Sequence, residues 1–153
     1  MKIRFGKYDF RIQENEKQKL IFDIIRKKFV PLTPEEWVRQ HWLHYLIKEA
    51  NYSRSLIAVE MSIEVNQLAK RCDVVVFNQS GKPFLVVECK SSDVKITQNV
   101  FDQIARYNLF LQVKYLVVSN GSEHHCCKID FEMKSYAFVE ALPEWGEVRD
   151  GEW

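Results

Sequence analysis

The chain has 153 residues, 46% hydrophobic and 28% charged, which suits one domain that folds without a zinc or disulfide staple. Its 22 basic and 21 acidic residues leave a net charge of +1, which excludes a strongly basic, passive nucleic-acid coat and says nothing more about the partner. The N-terminus lacks a signal-peptide core, no apolar run approaches the ~20 residues of a membrane span, and the four cysteines form no C-x-x-C pair, so a reducing, cytoplasmic setting without a membrane is expected.

In chain order, KLIFDIIRKKFV (19–30) suits a short strand or a helical turn equally. Thr33-Pro34-Glu35-Glu36 then reads as a helix start, with Thr as N-cap, Pro at the first helical position and Glu at the third. The helix runs to about Ala50 on an apolar stripe of Trp37, Val38, Trp42, Tyr45 and Leu46. SLIAVEMSIEV alternates as a half-buried strand, with Ile57, Val59, Met61, Ile63 and Val65 on its buried face. Two strands follow, RCDVVVFN and PFLVVECK, separated by QSGK. Residues 97–112 form a helix with Val100, Ile104, Tyr107 and Leu111 on one stripe, and KYLVVSN is a further strand. HCCKIDF and YAFVEAL read as peripheral strands. The adjacent His124-His125-Cys126-Cys127 would alternate between two faces, which does not make a four-ligand zinc site.

The central hairpin carries the chemistry. A turn at Ser80-Gly81 sets Asp73 opposite Glu88, Arg71 opposite Lys90, Val75 opposite Val86 and Phe77 opposite Phe84, all on one side of the sheet. The other side pairs Cys72 with Cys89, as two buried thiols, and Val74 with Val87. Two carboxylates about 5 Å apart at Cβ repel each other, so something must hold them. A hard divalent cation does so through oxygen ligands, with Lys90 reaching the same place. A structural ion-pair cluster, in which Arg71 and Lys90 neutralise Asp73 and Glu88, accounts for the same residues.

Asp73 … Glu88-Cys89-Lys90 resembles the D…(D/E)-x-K core of the PD-(D/E)XK nuclease superfamily, and Gln103-Ile104-Ala105-Arg106-Tyr107 resembles the Q-x-x-x-Y motif that follows it in one branch. With Thr33 to Gln40, Val59-Glu60, Arg71-Cys72-Asp73, Arg106-Tyr107-Asn108 and Asn120-Gly121, the pattern over residues 20–122 is similar to the N-terminal nuclease domain of type I restriction enzyme R subunits. Two departures stand out. Cys72 replaces the proline of the superfamily's name, and these residues hold no G-x-x-x-x-G-K-[ST] phosphate loop of the kind an ATP-driven motor carries.

The resemblance implies an α/β fold with a restriction-endonuclease-like core: a mixed four-stranded sheet flanked by helices in α-β-β-β-α-β order, here with a peripheral C-terminal β extension. One nuclease-like domain over residues 1–153, with its core at about 33–121, is expected. The implied activity is Mg²⁺-dependent hydrolysis of DNA phosphodiesters, with Mn²⁺ as a substitute. Asp73 and Glu88 would be metal ligands and Lys90 the catalytic lysine. Glu36 would complete the metal site, although a capping box on Thr33 explains it without metal. Gln103 and Tyr107 would orient Lys90 or a phosphate. Implied partners are DNA, a motor or restriction subunits, and a second copy in a homodimer. The competing reading is a non-catalytic nucleic-acid or protein-binding module that retains the fold.

Overall fold

The computed structural model describes residues 1–109 and 111–152. The ambiguous N-terminal segment is a hairpin. Strands β1 (Ile12–Glu14), β2 (Lys19–Asp23) and β3 (Lys28–Pro31) make a three-stranded antiparallel sheet. Asp23 fixes the turn between β2 and β3, its Oδ1 accepting from the Ile25 and Arg26 N–H groups at 2.8 and 2.7 Å.

Helix α1 (Pro34–Lys48) starts where the capping signals place it, with Thr33 Oγ1 accepting from Glu36 N at 3.1 Å. Its buried apolar residues are Val38, Trp42, Leu43 and Leu46, while Trp37 is 42% exposed. The expected stripe is thus rotated toward Leu43. The helix is covered on a second side, where Glu36, Arg39, Gln40 and His44 are also buried and Tyr8 stacks on His44. An apolar-stripe reading cannot see a buried polar face.

The main sheet has six strands in sequence order: β4 (Ile57–Val65), β5 (Leu68–Phe77), β6 (Pro83–Cys89), β7 (Tyr115–Ser119), β8 (His124–Asp130) and β9 (Ser135–Val139). Neighbours are antiparallel apart from β6 and β7, which run parallel through the crossover helix α2 (Gln98–Leu109). The sheet is therefore six-stranded where four strands were expected. The last two strands are integral to it because β8 satisfies the whole outer edge of β7, with Cys126 and Cys127 buried on opposite faces. A short helix α3 (Trp145–Asp150), with no clear signal in the sequence, buries Val148 on the α1 side.

Helix α1 covers one face, packing Trp42 and Leu43 with Val74, Val87 and Val117; α2 covers the other, packing Phe101 and Ala105 with Val75, Val86 and Val118. Double coverage explains why β5 to β7 read as continuous apolar runs.

Side-chain alternation breaks at one level of the sheet. Ile57 and Val59 pack on the α1 side, but Ile63 and Val65 pack on the α2 side. On β5, Val74 and Val76 face α1 while Cys72 faces α2. Both strands change face between the pairs Val59–Val74 and Met61–Cys72, at Glu60 and Asp73. Glu60 there has φ +53°, a left-handed conformation that a non-glycine residue adopts at a cost. This corrects two expectations. The odd residues of β4 do not share one buried face, and Met61 is 40% exposed. Cys72 and Cys89 are both buried free thiols but lie on opposite sides of the sheet.

The β5–β6 ladder pairs Val74 with Val87, Val75 with Val86 and Val76 with Leu85, then slips to Phe77 with Pro83. The slip turns Phe84 to the α1 side, away from Phe77. The connection is longer than a two-residue turn: Asn78 N donates to Lys82 O, and the side-chain Oδ1 of Asn78 accepts from Ser80 and Lys82 N–H groups.

Candidate active site

Antiparallel pairing of β5 with β6 ends at Val74–Val87, although β6 continues along β7 through Cys89–Ser119. The two strands part at that point. Asp73 fills the gap, its Oδ2 accepting from the Cys89 N–H at 2.8 Å in place of a ladder bond. Glu88, one residue before Cys89, stands beside it and is nearly buried. Burial pushes the Glu88 carboxyl up to about 7; Lys70 pulls against this, and the Asp73 carboxylate adds to the rise.

Because the chain changes face at Asp73, Lys70 rather than Arg71 arrives on the Glu88 side. Its Nζ lies 2.7 Å from Glu88 Oε1, with both side chains largely buried. Arg71 turns to Glu60 instead, at 2.8 Å, with its side chain 69% exposed. The expected facing of Arg71 and Lys90 does not occur. Lys90 follows the end of β6, where its N–H donates to Ser119 O at 2.8 Å. It is half-buried, and among the described residues its ammonium takes part in no ion pair.

Glu36 does not meet the carboxylate pair. Its Oε1 accepts from Arg26 Nη2 at 2.6 Å, and its Oε2 accepts from Arg39 Nε at 2.8 Å and Gln40 Nε2 at 3.2 Å. Both oxygens are thus held by cationic and amide donors in a buried network that also takes in Asp23 and Glu60. The network reaches the pair through Arg39, whose Nη1 lies 3.6 Å from Asp73 Oδ1. That Nη1 is fully buried and makes no hydrogen bond.

On α2, Tyr107 is half exposed and its ring lies 4.9 Å from Lys70 Nζ, which links this residue to Glu88. Gln103 is exposed one turn earlier and makes no hydrogen bond to the site among the described residues. The structure therefore brings together Asp73, Glu88 and Tyr107, with Lys90 at the strand end, and leaves Glu36 and Gln103 apart. Sequence reading missed Lys70, Arg26 and Asp23. The signal was the basic pair Lys70-Arg71, in which strict alternation selects the wrong member.

Among the described residues, no three His, Cys, Asp or Glu side chains are grouped so as to hold a metal ion. Asp73 and Glu88 alone suit a cation that takes one or two carboxylates and retains waters, as Mg²⁺ does. Burial is the main cause of the raised Glu88 carboxyl and the Asp73 carboxylate adds to it; a bound cation would oppose both by favouring the charged form.

The mixed sheet with helices on both faces defines an α/β fold. The chain belongs to the family of type I restriction enzyme R protein N termini (HSDR_N), whose model matches residues 34–143, more than half of the chain. It is similar in fold to a fragment described as an HsdR subunit of a type I restriction enzyme from Vibrio vulnificus YJ016. That match has 18% identity and a TM-score of 0.52, and it covers 76% of this chain and 24% of that one. The chain thus spans about a quarter of the fragment's length. No curated protein matches it. No helix among the described residues is long and apolar enough to cross a membrane.

Proposed function

We propose that this chain is a metal-dependent nuclease module that hydrolyses DNA phosphodiester bonds, acting in the cytoplasm with a motor or restriction subunits or as a homodimer. The observation that carries the reading is the pairing of Asp73 with a raised Glu88 where β5 and β6 part, inside the stretch that the family model matches.

Asp73 and Glu88 would hold Mg²⁺, or Mn²⁺ in its place. A bound divalent ion supplies Lewis acidity and a water of lowered pKa. Lys90, which pairs with no carboxylate among the described residues, would orient the attacking water or neutralise a non-bridging phosphoryl oxygen. The water oxygen bonds to phosphorus and gives up a proton to solvent, the bond from phosphorus to the leaving oxygen breaks, and that oxygen takes up a proton from solvent. Tyr107 would act through Lys70 and Gln103 on the phosphate. Glu36 is best read as the anchor of Arg39, which steadies Asp73.

One observation favours the second reading, a non-catalytic binding module: no third His, Cys, Asp or Glu side chain joins the pair among the described residues. One experiment separates the two. Cleavage of linear, circular and branched DNA with Mg²⁺ or Mn²⁺ is measured beside folded Asp73→Ala and Lys90→Ala. Cutting abolished in both variants supports the nuclease, cutting that survives in them discards this site, and no cutting by any form favours the binding module.

A further inference from the structure

Taking Asp73 and Glu88 as a metal-binding pair, we infer that Lys70 is the resident counter-ion of that pair, which a divalent cation displaces from Glu88 toward the substrate phosphate. The Lys70 ammonium is 2.7 Å from Glu88 Oε1, and the two side chains are only 14% and 12% exposed. A cation held between Glu88 and Asp73 competes with Lys70 for the Glu88 carboxylate, and the two positive charges repel each other at contact distance.

Displacement does not strand the ammonium. The Tyr107 ring already lies 4.9 Å from it and is half exposed, so a small rotation of the lysine stem keeps an aromatic face beneath the charge. From there Lys70 can donate to a phosphoryl oxygen as a flexible point charge. The arrangement leaves no unpaired buried carboxylate before the metal arrives and supplies a phosphate-facing cation afterwards. It also gives Tyr107 a role distinct from touching Lys90.

Lys70 follows from the change of face at Asp73 and Glu60. Had β5 kept strict alternation, Arg71 would stand beside Glu88. It pairs with Glu60 instead and is mostly exposed, which makes it the control.

The test is Mn²⁺ binding to the DNA-free protein, by calorimetry and electron paramagnetic resonance, for wild type, Lys70→Met, Lys70→Arg, Arg71→Met and Asp73→Asn. Lys70→Met should bind on the order of tenfold tighter than wild type, Lys70→Arg and Arg71→Met should not, and Asp73→Asn should lose binding. Lys70→Gln serves if Met disturbs β5. In wild type, Mg²⁺ should shift the ¹⁵N signal of the Lys70 ammonium. Equal or weaker binding by Lys70→Met, or equal tightening by Arg71→Met, overturns the role of Lys70 while the metal pair stands on Asp73→Asn. Binding by neither wild type nor Lys70→Met, nor Lys70→Gln, overturns the metal pair itself. Binding by Lys70→Met alone supports displacement in its strongest form.

Discussion

The Asp73 carboxylate accepts the Cys89 N–H at 2.8 Å at the point where the β5–β6 ladder stops. One side chain thereby does two things: it closes the backbone account of the parted strands and presents its carboxylate beside Glu88. The two roles separate by mutation. Asp73→Ala leaves the Cys89 N–H without its acceptor and should cost about 1–3 kcal/mol of stability. Asp73→Asn keeps an acceptor oxygen and should unfold nearly as wild type, yet lose divalent-ion binding. Urea denaturation beside metal titration of both variants checks this. Equal destabilisation by Asn and Ala would mean that charge, not hydrogen bonding, holds the strand end.

Glu36 offers a sharper contrast between anchor and ligand. Its oxygens are engaged by Arg26, Arg39 and Gln40, and its removal leaves two guanidinium groups in a buried network short of an anion. Breaking such a network from one side typically costs about 3–5 kcal/mol. Glu36→Gln should therefore lose stability of that order in metal-free protein, while its Mn²⁺ affinity falls less than that of Asp73→Asn. A variant that keeps wild-type stability and loses the metal would restore Glu36 as a ligand.

The sequence made some of this legible and hid the rest for physical reasons. The start of α1 could be read because Thr33, Pro34 and Glu36 act locally; centring the hairpin at Ser80-Gly81 gave the pairing of Val74, Val75 and Val76 with Val87, Val86 and Leu85 but missed the slip next to the turn. The carboxylate pair was legible through its family pattern. Lys70 was not, because the exchange of faces depends on a left-handed Glu60 across the sheet, which no spacing in β5 reveals. Burial of Glu36 and Arg39 was hidden for a similar reason: their cover comes from Asp23 and Arg26, on a segment whose own structure was ambiguous. β8 looked peripheral because cysteines and histidines give a weak strand signal, although β8 completes an edge of β7.

Two buried histidines set an acid limit on stability. Burial holds His44 down at about 4, with Lys48, His41 and Arg54 adding to the effect. Burial likewise holds His124 at about 4, against the opposing effect of its hydrogen bond to the Ile3 backbone. An unfolded histidine titrates near 6.5, so the unfolded state binds more protons between those values. The histidine contribution is full above about pH 6.5 and declines as pH falls toward 4. Glu88 works the other way in metal-free protein: its raised carboxyl contributes most below its unfolded value and loses that contribution as pH rises through about 7. Two groups oppose one, so net stability should drop by on the order of 1–3 kcal/mol from pH 7 to pH 5. Glu88→Gln should steepen the drop and His124→Asn should flatten it, as read by denaturant midpoints across that range. A slope unchanged in His124→Asn would remove His124 from the account.

The last turn of the chain is fastened to the hairpin at Gly151. Asn78 Nδ2 donates to the Gly151 carbonyl at 2.9 Å, and Gln79 N donates to Arg149 O at 3.0 Å, so α3 docks on the loop between β5 and β6. A Cβ at Gly151 would lie 2.1 Å from Phe84 Cε2 and 2.8 Å from the Glu147 carbonyl oxygen. Its backbone is in no strained region, so space alone requires glycine. Phe84 is 1% exposed and packed on the α1 side, which leaves its ring no room to retreat. Gly151→Ala should therefore lift α3 from the core or force Phe84 off its rotamer, at about 1–3 kcal/mol. Thermal denaturation should show the loss, and faster amide exchange at Val148 and Gln79 should locate it. Because the clash is with Phe84, Gly151→Ala combined with Phe84→Leu should cost less stability than the sum of the two single changes. Strict additivity of the two changes would place the cost elsewhere, at the Glu147 carbonyl.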